Sequence, residues 1–310
     1  EQAPVGRLYD LDVLSPGGEK LSRPQSRRCL ICGGPVTVCS RSRAHGLAAI
    51  QAKTEDILRS FAAGHLAQLA RQALEDEVCL TPKPGLVDRR NTGAHDDMDL
   101  PLFRRSAAAL EPYFCRFVSL GMAGASPAEL QALGREAEHA MLTATGGVNT
   151  HKGALYSFAL LLSALGRSLT EGGDPFHTAA AIADALPPAS GTHGSAVRDQ
   201  CGGVRQEAIS GFPTARHMRE LLSRSGALAA LTWSMSRLDD STLVYRGGPE
   251  GLRYVQQAAS ALLTLPENAL VPALEALDDD LIARHLSPGG SADLLSLALF
   301  LDAAAPETWL

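Results

Sequence analysis

From Thr54 to the C-terminus, apolar residues recur at helical spacing, and this periodicity leaves little choice of fold. In the run TEDILRSFAAGHLAQLARQALEDEVCL they are Ile57, Leu58, Phe61, Leu66, Leu69, Ala70, Ala73 and Leu74. PLFRRSAAALEPYFCRFVSLGMAG reads as a second helix. A third opens with Ser126 as N-cap, Pro127 at the first helical position and Glu129 at the third, and Gly146 stops it. The strongly apolar ALYSFALLLSAL follows, and further helices are predicted near 175–186, 194–210, 214–237, 249–264, 267–285 and 291–303. No stretch of 54–310 reads as a strand. The expected fold is all-α: a compact multi-helix domain over 54–310, with some helices buried on most sides. A chain of 310 residues can bury roughly three quarters of its unfolded surface, so a substantial core is expected.

Residues 1–52 have a different character. LYDLDVL alternates like a strand, SPGG reads as a turn, and the Pro, Gly, Ser and Arg content beyond it disfavours helix. A short irregular or β-containing segment is expected, too small for its own core unless a metal or a neighbouring domain supports it. Cys29, Cys32, Cys39 and His45 form a C-x2-C-x6-C-x5-H pattern whose spacing allows a tetrahedral Zn²⁺ site. Reduced structural thiols are the other reading. Six Cys in the whole chain is a low density, which fits a reducing, cytoplasmic compartment better than a disulfide scaffold. No apolar run reaches the length of a membrane span, and no signal-peptide pattern opens the chain. The net charge of −6 gives no basic field for nucleic acid or an anionic membrane, so an anionic ligand needs a local cluster of cations.

The segments between helices are where chemistry would sit. TPKPGLVDRRNTGAHDDMD (81–99), GGVNTHKG (146–153), GTHGSAVRDQCGGVRQEAISGFP (191–213), LDDSTLVYRGG (238–248) and HLSPGGSADLL (285–295) each combine Gly with an acid, a base or His. Only four of the 28 basic residues are Lys, and two of them, Lys83 and Lys152, stand in such segments. Lys83, Lys152, Arg89, Arg205 and Arg246 are candidates for phosphate contacts. Asn149 and Gly153, with Ser287, Gly289 and Gly290, lie where a helix begins and offers free amides to an anion, although neither stretch matches a P-loop. Asp97 and Asp99 with one remote acid, Glu207 or Asp293, would suit Mg²⁺ on a polyphosphate; a plain acidic first turn is the simpler reading of DDMD. His151 and His193 sit beside Gly and polar residues rather than on an apolar stripe.

Four stretches together, EVCLTPKPGLVDRRNTGAHDDMD, GGVNTHKGALYSFALLL, SGTHGSAVRDQCGGVRQEAISGFP and LSPGGSADLLSLALFL, resemble triphosphoribosyl-dephospho-CoA synthase from about residue 57 onward. The resemblance implies an all-α enzyme that joins ATP to 3'-dephospho-CoA, releases adenine and makes the prosthetic-group precursor of citrate lyase. GRLYDLDVLSPGGEKLSR and RRCLICGGPVTVCSRSRAH resemble the C-terminal part of holo-citrate-lyase synthase, which modifies the acyl carrier subunit of the lyase. Only the end of that domain is expected here, so its acidic pair, Asp10 and Asp12, should not be catalytic. On the synthase reading, Asp97, Asp99 and Glu207 or Asp293 bind Mg²⁺ or orient hydroxyls, and Lys83, Lys152, Arg89 and Arg205 hold phosphates. His151 or Glu207 is the base. One departure stands near residue 240, where family members tend to carry Asn and this chain has Thr242; Asp240 and Arg246 are kept. Two rival readings are an all-α metal phosphohydrolase, from the His-Asp pair of AHDDMD, and a non-catalytic module that binds a CoA-like ligand or the lyase. The synthase reading requires the separate interhelical segments to converge on one anion-and-magnesium pocket.

Overall fold

In the computed structural model, residues 4–9, 13–21, 27–187 and 203–304 are described. Among them are eleven α-helices and no strand; two isolated β-bridges, Leu14 with Lys20 and Arg28 with Pro35, are the only β pairing. The chain divides into two units, Glu1–Gly64 and His65–Leu310. No helix among the described residues is long and apolar enough to cross a membrane.

The first unit corrects the expectation that residues 1–52 avoid helix. A 3₁₀ turn spans Pro4–Arg7, α1 spans Val36–Ser42, and α2, Leu47–Cys79, begins seven residues before Thr54. LAAIQAK consists of residues with good helix propensity, which extends α2 backwards. Pro35 in an extended conformation starts α1, and Arg43 in the left-handed region (φ 48°) ends it. SPGG is a turn as expected: the Gly18 amide donates to the Ser15 carbonyl at 2.9 Å. Part of the strand-like LYDLDVL, including Asp10 and Asp12, lies outside the described residues.

The second unit holds the core. Its helices are α3 (Leu100–Met122), α4 (Pro127–Ala144), α5 (Lys152–Glu171), α6 (Pro175–Ala185), α7 (Gly203–Ile209), α8 (Pro213–Arg237), α9 (Ser241–Leu262), α10 (Glu267–Ala283) and α11 (Gly289–Ala304). The capping box of α4 is in place: Ser126 Oγ accepts from the Glu129 amide, and Glu129 accepts from the Ser126 amide at 2.8 Å. The helix expected near 249–264 is present from Pro249, and a further helical stretch precedes it. Asp240 caps a helix already started at Ser241, and the chain kinks at Gly248 (φ 63°) before Pro249. The first residues of the helix expected over 194–210 lie outside the described residues; α7 forms its later part.

α5 is the central element. Leu160 to Gly166 are all buried, and α3 packs along it more extensively than any other helix. Phe158 of α5 stands between Phe114 of α3 (centroids 5.3 Å) and Phe300 of α11 (5.5 Å). Two glycines let α3 and α5 touch backbone to backbone. A Cβ on Gly121 would lie 2.0 Å from the Ser163 carbonyl oxygen, and one on Gly166 would lie 2.1 Å from that of Val118. At the other end of the same pair, Ser106 of α3 meets His151 beside the N-terminus of α5, where the candidate site begins.

Gly166→Ala should therefore destabilise the protein by about 1–3 kcal/mol through overpacking. Gly134→Ala, in α4 with nothing within 4 Å of the new methyl group, should instead raise stability by about 0.5–1 kcal/mol. Denaturant unfolding of the two variants tests both signs.

Candidate active site

Helix N-termini carry partial positive charge and unpaired amides. Two acidic side chains, Asp293 and Asp240, answer the N-termini of α5, α9 and α11 in the second unit. The carboxyl of Asp293, from the first turn of α11, is turned onto the start of α5. There the Ala154 amide donates to it, and a Cβ on Gly153 would lie 2.0 Å from its Oδ2. Asp240 caps its own helix, accepting from the amides of Thr242 (2.8 Å) and Leu243 (3.4 Å). Its other oxygen accepts from the Ser291 amide at 3.1 Å, and the Gly290 amide also donates to it. A Cβ on Gly290 would lie 3.0 Å from this carboxylate. Glycine at 153 and 290 is thus what admits the acids. The amides of SPGGSADLL, read as a phosphate cradle, are partnered by Asp240 in this state.

Both acids are reluctant to ionise. Burial raises the Asp240 pKa against its amide donors. Asp293 is raised well above the ordinary carboxyl value, first by burial and then by the charges of Glu77 and Asp240. Glu77 belongs to the same group. It is buried at the end of α2 and ion-paired with Lys83, and burial raises its pKa more than Lys83 lowers it.

Lys83 is 1% exposed, because the segment from Pro82 to Asp88 runs inside the molecule. A buried segment must satisfy its own backbone, and side chains do so here. Asp88 accepts from the amides of Lys83 (2.9 Å), Arg90 (2.6 Å) and Asn91 (3.1 Å). Asp278 of α10, itself buried, accepts from the Gly85 amide (2.9 Å), Arg90 Nη1 (2.6 Å) and Asn91 Nδ2 (2.7 Å). The end of the segment is tied to the start of α11. His95 Nε2 meets Ser287 Oγ at 2.9 Å, and its Nδ1 meets Arg246 at 3.0 Å. Arg246 also donates to the Ala94 carbonyl at 2.9 Å. Burial, and then the Arg246 charge, hold the His95 pKa down at about 4, so its ring is neutral near pH 7.

His151 immediately precedes α5. Its Nδ1 meets Ser106 Oγ of α3 at 2.7 Å, Thr150 Oγ1 donates to the same oxygen at 2.7 Å, and Phe103 packs edge-on against the ring at 4.9 Å. Nε2 is buried and has no hydrogen-bond partner. Burial, then the nearby Lys83 charge, push the pKa down to about 3. The site therefore holds a neutral imidazole with one unused nitrogen close to the buried ion pair.

Other residues singled out in the sequence are placed differently. Asp99 is the N-cap of α3, accepting from the Leu102 amide at 2.8 Å. Asp97 is exposed and stands 4.0 Å from His95. Arg89 is exposed, and its amide donates to Thr81 Oγ1 at 3.2 Å. Asn149 Oδ1 accepts from the Lys152 amide at 3.2 Å, while the Lys152 ammonium is paired with Glu138 of α4. Arg205 donates to the carbonyls of Ala183, Asp184 and Leu186, closing the end of α6. Glu207 accepts from the Thr214 amide (2.7 Å) and hydroxyl (2.9 Å) at the start of α8, and burial raises its pKa. His193 lies outside the described residues. Glu77, Asp88, Asp278 and Ser106 were not singled out. As letters on helices or in a polar loop, nothing marks them as buried, although Glu77 and Asp88 flank Lys83 in EVCLTPKPGLVD.

In the first unit the metal-spaced quartet converges. One donor atom each from Cys29, Cys32, Cys39 and His45 lies within 4.8 Å of all the others, so the four groups could hold a metal ion. It is the only such grouping of His, Cys, Asp or Glu among the described residues.

Two family models match the chain. One, described as ATP:dephospho-CoA triphosphoribosyl transferase, matches residues 63–309; the other, described as apo-citrate lyase phosphoribosyl-dephospho-CoA transferase, matches residues 1–61. "Protein CitXG" of Haemophilus influenzae is 36% identical over 97% of this chain and 74% of its own length. A 2-(5''-triphosphoribosyl)-3'-dephosphocoenzyme-A synthase of Haemophilus ducreyi is 35% identical over 87% of this chain and 98% of its own. A probable 2-(5''-triphosphoribosyl)-3'-dephosphocoenzyme-A synthase 1 of Salmonella typhimurium is 42% identical over 78% and 92%.

Two outcomes follow from the buried charges. Lys83→Met leaves Glu77 unpaired and should cost about 3–5 kcal/mol, while Lys83→Met with Glu77→Leu should recover much of it; denaturant unfolding of the cycle checks this. Asp293→Asn should have the opposite sign. A carboxyl whose folded pKa is raised stabilises the fold while protonated and loses that contribution as pH rises through the folded pKa. The Asn variant should therefore have a higher Tm than the parent at pH 8, with the gain vanishing below about pH 4, the unfolded carboxyl range.

Proposed function

Since this chain belongs to the ATP:dephospho-CoA triphosphoribosyl transferase family, we propose that it joins ATP to 3'-dephospho-CoA to give 2'-(5''-triphosphoribosyl)-3'-dephospho-CoA and adenine. The bond between adenine and C1'' of the ATP ribose breaks, and a bond from C1'' to the 2'-oxygen of dephospho-CoA forms. The 2'-hydroxyl proton goes to a base, and adenine leaves with a proton. Such a reaction asks the protein to hold two nucleotides in register and to accept one proton.

The observation that carries this reading is His151: a buried, neutral imidazole with Nε2 unpartnered, beside the only fully buried lysine of the chain. Ser106 Oγ can accept from both Thr150 and His151 Nδ1–H, and that tautomer leaves the Nε2 lone pair to take the 2'-hydroxyl proton. Glu207, the other base considered, already accepts from three donors at the start of α8. Lys83 is the buried cation of the site, and Lys152, Arg246 and Arg89 are the further cations this reading offers to the phosphates. The amides of α5 and α11 at Gly153, Gly289 and Gly290 become phosphate donors once Asp293 and Asp240 turn to a cation.

Those acids also fit Mg²⁺. Asp293 feels the charges of Glu77 and Asp240, and all three are raised in pKa, first by burial, a cost that a divalent cation would relieve. Asp293, supported by Glu77 or Asp240, would hold the ion, and Asp97 and Asp99 are further candidate ligands; when bound, the ion would neutralise and orient the triphosphate. In this reading 54–310 is the synthase domain, and 1–52 belongs to a transferase domain of the kind that attaches the finished group to the citrate lyase acyl carrier subunit. A cytoplasmic location is part of this reading, since ATP and dephospho-CoA are its proposed substrates.

Mixing enzyme, Mg²⁺, ATP and dephospho-CoA should release adenine only when both nucleotides are present. Phosphate release from ATP alone would favour a hydrolase, and tight dephospho-CoA binding without adenine would favour a binding module. His151→Gln should lower kcat about 10²–10⁴-fold. Because its pKa is about 3, the wild-type rate should show no limb near the usual histidine value of 6.5; a limb there that His151→Gln removes would overturn the neutral buried state, and a His151→Gln enzyme with wild-type kcat would exclude this base.

A further inference from the structure

We propose that Cys29, Cys32, Cys39 and His45 bind one Zn²⁺ ion that organises residues 27–46. The inference is independent of the synthase chemistry. The four donors come from three local structures: a tight turn, helix α1, and the loop after it. Each of those structures has features that aim its donor inward.

The turn comes first. The bridge between Arg28 and Pro35 pinches its ends together. The Cys29 amide donates to the Gly34 carbonyl at 2.7 Å, and the Gly33 amide returns to the Cys29 carbonyl at 3.0 Å. Gly33 takes φ 70°, which a side chain would resist. The Ile31 amide then points at Cys29 Sγ, 3.4 Å away. An amide aimed at sulfur stabilises a thiolate, the form that binds metal. Cys32 leaves the same turn facing Cys39 of α1, and their sulfurs are 3.5 Å apart. Two thiolates on one tetrahedral Zn²⁺ at about 2.3 Å each would be about 3.8 Å apart. A disulfide would need about 2.05 Å. His45 completes the set: its Nε2 is covered yet has no hydrogen-bond partner.

The donor chemistry selects the ion. Three sulfurs and one imidazole, with no carboxylate, suit zinc and not magnesium or calcium. Four protein ligands close a tetrahedron and leave no position for a substrate, so the ion would be structural. The segment also needs support. Cys29 is the only buried residue described in 4–46, while Val13, Leu14, Ile31, Val36 and Val38 are each at least a third exposed. A stretch with so little core is the kind that a structural metal holds together.

The full-length chain tests this. Elemental analysis after purification should find about one zinc per chain. Cys32→Ser and His45→Ala should lose it, while Cys115→Ser, a free thiol in α3, should keep it. Replacing the metal with Co²⁺ should give the visible spectrum of a tetrahedral thiolate site, and chelation should speed proteolytic cleavage within 27–46. The wild-type titration does not depend on any variant folding. Failure of the metal-free chain to take up zinc in competition with a chromophoric chelator would overturn the proposal. So would equal zinc in Cys32→Ser, or a Cys32–Cys39 disulfide in mapped peptides.

Discussion

The ion pair between Glu77 and Lys83 is the constraint on which the candidate site depends. It joins the last turn of α2 to a segment that runs through the interior, and neither group could be buried there alone at acceptable cost. Once Lys83 is inside, the backbone around it must be too, and Asp88 and Asp278 replace the water its amides have lost. Arg90 and Asn91 bind the same Asp278, so α10 is clamped onto a segment nearly two hundred residues earlier in the chain. The lysine's charge also reaches His151 and helps to keep that imidazole neutral.

A second constraint acts in opposition to stability. Asp240 and Asp293, both with raised pKa values, are held where the helix amides of α5, α9 and α11 begin, and Glu77, raised as well, adds its charge to Asp293. Uncharged groups of the same shape would make a more stable protein. Acids maintained against burial are the mark of a site built for a cation or for charge that arrives with a ligand. Glycine at 153 and 290 belongs to the same design, because a methyl group at either position would occupy the space the carboxylates use.

The two units solve the problem of stability differently. The second has a continuous apolar core centred on α5, with aromatic rings linking α3, α5 and α11. The first exposes most of its apolar side chains and gathers three sulfurs and an imidazole instead. Its spacing of cysteines is local, which is why the cluster could be suspected from the letters alone. Helix α1 could not, since VTVCSRS has three β-branched residues, Val36, Thr37 and Val38, in its first turn and weak helix propensity throughout.

What the sequence by itself determined was whatever depends on neighbours along the chain. The periodicity of 54–310 settled the all-helical class, Ser126 and Glu129 settled the start of α4, and the four long motifs settled the family. Lys83 stood out as a lysine in a polar segment, and His151, Gly153, Asp293 and Gly290 as unusual residue types beside helix starts. Which acid meets which cation was decided only in three dimensions. Glu77 in a helix reads like any solvated acid, Asp240 like any N-cap, and Arg205 and Glu207 like ligands when they close the ends of helices. The partner of Arg90 is 188 residues away, and burial, which sets every pKa in the site, belongs to the packed molecule and not to the string.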